Sequence, residues 1–205
     1  MKILQIQSSV FLGDGQSSRL ADQFVADLAA QHPGAQVVRR DLVTDPVPHL
    51  DANRVAAFFA KPAERTADQQ AVVAYSDALI RELRSADVLV LGLPMYNFGV
   101  PSQLKAWFDH VARAGETFKY TDKGSVGLVT GKKAYVFAAR GGFYEGTAND
   151  WQTKFVRHFL GFIGITDVEF VYAEGLAIDE ATRNNSIAAA QSQARRLARE
   201  SRLAA

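Results

Sequence analysis

Three short segments of this chain concentrate residues suited to holding an anion beside a flat ring. The first, Ser8-Ser9-Val10-Phe11-Leu12-Gly13-Asp14-Gly15-Gln16-Ser17-Ser18, follows an apolar run and leads into a helix-period segment. It offers hydroxyls at Ser8, Ser9, Ser17 and Ser18 and flexible backbone at Gly13 and Gly15, with no Lys or Arg among them. A helix start presents unpaired amides at the positive end of the helix dipole, and both features attract phosphate. Neutral donors would therefore hold the anion. Ser17 read alone serves equally as a plain N-cap.

The second segment is Pro94-Met95-Tyr96-Asn97-Phe98-Gly99-Val100-Pro101. Tyr96 and Phe98 can give apolar contact to a heteroaromatic ring, while Asn97 and backbone amides can read its polar edge. Two aromatics before a helix also suit ordinary packing. The third is Arg140-Gly141-Gly142-Phe143-Tyr144, whose paired glycines allow close backbone approach, or simply a turn. One phosphate loop and two flat, backbone-rich walls together match what FMN requires, a charged tail at one end and a redox-active ring at the other.

Other nucleotide, metal and nucleophile signatures fail on spacing. Gly13-x-Gly15 lacks the third glycine of a dinucleotide fingerprint, since Ser18 stands there. Gly13 also lies five residues past Ser8 rather than directly after the strand, and Asp41 is too distant for the ribose acid. Gly127 to Gly131-Lys132 has three intervening residues rather than the four of a phosphate-binding loop, and Lys133 replaces Ser or Thr. There is no Gly-x-Ser-x-Gly elbow. The chain has no cysteine, and its four histidines (His32, His49, His110 and His158) are scattered, so no metal site is expected.

The elements that would position these loops alternate strand and helix. Lys2–Gln7, Gln36–Arg40, Asp87–Gly92, Lys133–Ala139 and Asp167–Tyr172 read as strands, several of them almost continuously apolar as in sheets covered on both faces. Helices are expected at about 17–31, 68–85, 102–113, 150–163 and 180–201, with Leu20, Phe24 and Leu28, and Trp151, Phe155 and Phe159, at four-residue spacing. This order implies parallel strands with right-handed crossovers, hence an α/β, doubly wound, five-stranded parallel sheet with helices on both faces. Ligands of such sheets bind beyond the carboxyl ends of the strands, where the three loops fall. Val43–Thr66, with Pro46, Pro48 and Pro62, reads as a long irregular connection of the kind that serves as a lid. Thr117-Phe118-Lys119-Tyr120, within the Gly115–Gly131 insertion, reads as a hairpin arm. Asp109, His110 and Arg113 read as solvated or ordinarily paired helix residues, and Trp107, Phe108, Trp151 and Phe155 as core or interface.

The 205 residues suit one domain, 1–205, with 48% apolar and 22% charged residues. A formal charge of +1 gives no concentrated positive field for nucleic acid, and no strongly charged face for docking redox partners. No apolar run suits a signal peptide or a membrane span, which points to the cytoplasm without membrane insertion.

Ser8-Ser9…Gly15-Gln16-Ser17, Pro94-Met95-Tyr96-Asn97-Phe98 and Arg140-Gly141-Gly142 closely resemble the bacterial FMN-dependent NADH-azoreductase and quinone reductase family, of flavodoxin-like fold. So do Ala112-Arg113-Ala114-Gly115, Gly127 to Lys133 and Phe159-Leu160-Gly161-Phe162-Ile163-Gly164-Ile165. The resemblance runs to about Ala177. It implies a homodimer with flavins near the interface and a ping-pong mechanism, taking NADH or NADPH and reducing quinones and azo compounds. By position it implies that Ser9, Gly15, Gln16 and Ser17 hold the phosphate and ribityl end of FMN. Pro94, Met95, Tyr96, Asn97, Phe98, Ala139, Arg140, Gly141 and Gly142 would flank the ring, which is itself the redox centre, so no side chain is assigned as catalytic. Tyr120, Tyr144 and Phe162 would meet the substrate, Tyr120 and Phe162 across the dimer. Gly15 and Ala139 stand where serine is common in the family, and Tyr144 where some members have histidine. The competing expectations are a flavodoxin-type electron carrier, a general NAD(P)H-dependent FMN reductase, and a flavin-free signalling domain, for which no acidic or nucleotide site is found.

Overall fold

Val88–Pro94 is buried along its whole length, as a run of Val and Leu must be when helices cover both sides of it. It forms the central strand, β3, of the computed structural model, which describes residues 1–201; residues 202–205 of the expected domain lie outside the described residues. The other strands of its sheet are β1 (Lys2–Gln7), β2 (Gln36–Asp41), β6 (Lys133–Ala139) and β7 (Asp167–Ala173), in the order β2-β1-β3-β6-β7. All four pairings are parallel. Only the edge strand β2 exposes its apolar residues, Val37 and Val38.

Side-chain alternation divides the interior in two. Ile3, Val88, Val90, Tyr135 and Phe137 face α1 (Gln16–Gln31) and α6 (Glu180–Glu200), packing on Leu20, Phe24, Leu28, Ala190, Ala194 and Leu197. Leu4, Ile6, Leu89, Leu91 and Val136 face α3 (Ala67–Ser85), α4 (Ser102–Val111) and α5 (Trp151–Ile163), packing on Leu79, Leu83, Trp107, Phe108, Val156 and Leu160. The doubly wound architecture follows directly. Phe24 is fully buried against Tyr135 and Phe137, with ring centroids 4.5 and 5.1 Å away; truncating such an aromatic typically costs about 3–5 kcal/mol.

The structure refines the sequence reading in four places. The Val43–Thr66 stretch is not irregular throughout: α2 (Ala52–Phe59) lies inside it, started by Asp51 accepting from the Arg54 amide at 2.8 Å. The expected helix 102–113 ends at Val111, because the Thr117 hydroxyl donates to the Val111 carbonyl and accepts from the Arg113 amide. The Trp151, Phe155, Phe159 spacing does not mark the buried face of α5, which is Gln152, Val156, Leu160 and Ile163. Trp151 is 64% exposed and Phe155 is exposed too, whereas Trp107 and Phe108 are core. Of the residues read as solvated or ordinarily paired, Arg113 pairs with Asp77 and Asp109 with Lys105, while His110 and Arg113 are buried.

The hairpin arm forms as read, β4 (Phe118–Thr121) pairing antiparallel with β5 (Gly124–Gly127). It is fastened to the end of α5 by the Val129 amide donating to the Ile163 carbonyl, and by Gly127 lying so close to Gly164 that no Cβ fits. No described helix is long and apolar enough to cross a membrane.

Candidate active site

The chain runs from β1 outward to β2 and returns to β3 on the other side of β1, so the loops after β1 and β3 diverge from neighbouring strand ends. Between them lies a cleft of about 180 Å³, at the position where open α/β sheets bind ligands. Ser9, Gly15, Gln16 and Ser17 line it from the first loop, Pro94, Met95 and Tyr96 from the second, and Ala139, Arg140 and Gly141 from the third. Asn97, Phe98 and Gly142 adjoin it without lining it. Two lining residues, Phe11 and Leu176, were not anticipated. Leu176 belongs to the turn after β7, and reading that fifth strand end like the others would have found it.

The first loop is built to present amides. Gly15 is the N-cap of α1 and no side chain caps this end, so the first-turn N–H groups keep no intrahelical partner. Ser17 does not cap the helix. It sits in the first turn, fully buried, and its Oγ has no hydrogen-bond partner. A buried hydroxyl without a partner costs about 1–3 kcal/mol, so its presence beside a cleft calls for a ligand. A Cβ at Gly15 would stand 2.2 Å from the Ser9 Oγ, so any side chain there requires Ser9 to shift.

The second loop is strained. Asn97 and Phe98 both take left-handed backbone, φ 48° and 67°, inside a turn closed by Tyr96 N–H donating to Gly99 O at 3.3 Å and Gly99 N–H to Tyr96 O at 3.0 Å. Each such residue costs about 1–3 kcal/mol unless its surroundings enforce the geometry. The Tyr96 hydroxyl accepts from the Val10 amide at 3.1 Å, tying this loop to the first.

The third loop is braced against the turn after β7. Leu176, Ala177 and Gly175 amides donate to the carbonyls of Arg140, Gly141 and Gly142. The Arg140 guanidinium is fully buried away from solvent, held by Glu174 at 2.9 Å, Asp150 at 3.0 Å and Thr153 at 2.8 Å, so Arg140 offers a ligand only its backbone. Burial alone would raise the Asp150 carboxyl, but hydrogen bonds from Thr153 and Arg140 and the Arg140 charge hold it below the usual carboxylate range. Glu174 also accepts from the Tyr144 and Glu145 amides. The amides of Asn97, Gly141 and Gly142 find no acceptor among the described residues.

These features fit FMN. The orphaned Ser17 hydroxyl and bare helix start suit the phosphate, and three free amides suit the polar edge of the ring. The anticipated substrate residues divide. Tyr144 meets Phe98 edge-on at 5.9 Å beside the cleft. Tyr120 and Phe162 instead both pack on Phe118, at 5.5 and 4.3 Å, and neither lines the cleft of its own chain.

A family model described as a flavodoxin-like fold matches residues 1–198. The chain is 58% identical over 193 residues to an FMN-dependent NADH:quinone oxidoreductase of Alcanivorax borkumensis, covering 94% of this chain and 98% of that one. It is similar in structure to an azoreductase from Bacillus anthracis str. Sterne (TM-score 0.90, 29% identity, covering 98% and 99% of the two chains). It is also similar to an FMN-dependent NADH-azoreductase from Bacillus anthracis str. Ames Ancestor in complex with FMN (TM-score 0.86, 29% identity, covering 96% and 99%).

Proposed function

Since this chain belongs to the flavodoxin-like family, we propose that it is an FMN-dependent oxidoreductase that passes electrons from NADH to quinones and, in a second activity, cleaves azo compounds to amines. The observation that carries this reading is the buried, unpartnered Ser17 hydroxyl at an uncapped helix start, in a cleft bordered by the loops that carry free amides.

The Ser9 and Ser17 hydroxyls and the first-turn amides of α1 hold the phosphate without a cation, and Gly15 and Gln16 carry the ribityl chain past the loop. Met95, Tyr96 and Leu176 give the ring apolar contact. Bound there, FMN supplies a ring that takes hydride from NADH and gives electrons to the acceptor. The amides of Asn97, Gly141 and Gly142 favour negative charge along the ring's polar edge, because they are fixed before it develops. No side chain is asked to act as acid or base for the transfer from NADH. Phe98 and Tyr144 form the open side, against which NADH or NADPH and the acceptor stack in turn, giving ping-pong kinetics.

The chain acts as a cytoplasmic homodimer in this reading. Tyr120, 75% exposed at the hairpin tip, and Phe162 complete a neighbour's site rather than their own. A flavodoxin-type carrier lacks support, because the chain has no strongly charged docking composition. Purification tests the proposal: the protein should be yellow, release FMN rather than FAD on denaturation, and oxidise NADH when a quinone is added. A colourless protein that takes up no added FMN would overturn it.

A further inference from the structure

Gln152 lies in the first turn of α5, is buried, and does not line the cleft. Its side-chain amide nevertheless touches both strand ends that do. Nε2 donates to the Pro94 carbonyl and to the Gly99 carbonyl, each at 2.9 Å. Oε1 accepts from Arg140 Nε at 3.2 Å. Pro94 ends β3, Gly99 closes the Tyr96 turn, and Arg140 opens the loop after β6.

The orientation of this amide has one solution. Arg140 can only donate, so the Gln152 oxygen must face it; the two carbonyls can only accept, so the NH₂ must face them. Arg140 in turn cannot swing away, being held by Asp150, Glu174 and Thr153. The chain of fixed groups therefore ends on Gly99, next to the two residues whose left-handed backbone most needs support, Asn97 and Phe98. The same chain passes through Glu174 to the Tyr144 and Glu145 amides.

We propose that Gln152 is a positioning residue, setting the separation of the two backbone walls and with it the affinity and the electronic surroundings of the flavin. This rests on the reading that FMN fills the cleft. Removing the amide leaves the buried Pro94 carbonyl and one guanidinium N–H without these partners. It leaves Gly99 O only the bond from Tyr96 N–H, and so frees the strained turn to relax.

The test compares Gln152→Leu with the parent and with Leu197→Ala, a core truncation on α6 far from these loops that lowers stability without touching them. Titrating apoprotein with FMN, Gln152→Leu should bind roughly ten- to a hundredfold more weakly, the order expected for losing two or three buried hydrogen bonds that shape a site. Its bound-flavin absorption spectrum should shift, and in the apoprotein the Gly99 amide, which donates to Tyr96 O, should exchange with solvent faster. Leu197→Ala should lower the melting temperature and leave all three unchanged. Gln152→Glu keeps an acceptor for Arg140 but, when ionised, no donors for Pro94 and Gly99, and should lose affinity as Gln152→Leu does. Parent-like FMN affinity in either variant would overturn the proposal. In the unmodified protein the Gln152 side-chain NH₂ protons should be protected from exchange, and finding them unprotected would overturn it even if both variants failed to fold. If the parent itself bound no FMN, the reading of the cleft would fall, and the Gly99 exchange result would still decide whether Gln152 holds the turn.

Discussion

The Ser9 hydroxyl fills the space that a Cβ on residue 15 would need: an added carbon there would stand 2.2 Å from Ser9 Oγ and 2.7 Å from Ser9 Cβ. The two residues therefore constrain one another across the loop after β1. Gly15→Ala should destabilise the protein by about 1–3 kcal/mol through overpacking. Ser9→Gly in the same chain should recover most of that loss, a coupling visible in a double-mutant cycle of urea melts. FMN affinity should stay reduced in the double variant, because a hydroxyl assigned to the phosphate is gone. Strictly additive melts would show that the two side chains do not compete for this space.

Ser17 is buried in the first turn of α1 with an unpartnered hydroxyl. Ser17→Asp places a carboxylate where the phosphate is assigned. Like charges about 4 Å apart near a protein surface repel by several kcal/mol, so FMN affinity should fall by at least roughly a hundredfold. Fluorescence titration of the apoprotein reads this directly, and parent-like binding would mean that the phosphate lies elsewhere.

One open side, bounded by Phe98 and Tyr144, serves both substrates in this reading. Initial rates with NADH and a quinone varied together should give parallel double-reciprocal lines. Intersecting lines would indicate a ternary complex and a separate acceptor site.

Stoichiometry separates the two proposed activities. Splitting an azo bond into two amines takes four electrons and four protons, a quinone takes two of each, and NADH yields two electrons as one hydride. The chain has no cysteine in which to hold a second electron pair. Anaerobic assays should consume two NADH per dye cleaved and one per quinone reduced. One NADH per dye would point to an electron source outside this scheme.

His110 packs edge-on against Phe58 and Tyr75, and its Nε2 lies 3.0 Å from the Pro48 carbonyl. Burial pushes its pKa below the ordinary imidazole value; Arg54 and Arg113 push it the same way, while the Pro48 carbonyl and Asp109 oppose. A depressed native pKa means that the unfolded chain binds the proton more readily. This contribution to stability is therefore complete above the unfolded value of about 6.5 and is lost as pH falls from there through the native value. Urea midpoints should drop between about pH 7 and pH 5, and His110→Gln, which keeps a donor for Pro48, should flatten that drop. An unchanged pH slope in the variant would exclude His110 as its source.

The strands of the main sheet and the helices that cover it were legible in the sequence because each is set by a short repeat, whereas α2 was not. Continuous Val and Leu in β3 can be satisfied only between two helical layers, and the ends of β1 and β6 follow from the same apolar runs. The three loops were legible for a related reason: in a parallel sheet every strand delivers its following loop to the same edge, so Ser17, Tyr96 and Gly141 converge whatever the details between them. The four-residue spacing of Trp151, Phe155 and Phe159 marked α5 as a helix but not its buried face, which is Gln152, Val156 and Leu160, one residue further on. Only packing against the sheet chose between them. The same holds for Arg140, which the sequence places in the ring loop but whose guanidinium is drawn into the protein by Glu174 and Asp150. Gln152 had no signal at all in the sequence. Its partners Pro94 and Gly99 lie 58 and 53 residues away, and a polar residue on a helix reads as solvated until the fold closes carbonyls and a guanidinium around it. The sequence alone determined which loops meet at the sheet edge, since the alternation of strand and helix periods makes the strands parallel and sends every following loop to the same edge. Tertiary structure decided which side chains face the ligand and which hold the loops still, since those roles depend on hydrogen bonds between distant segments that no local pattern encodes.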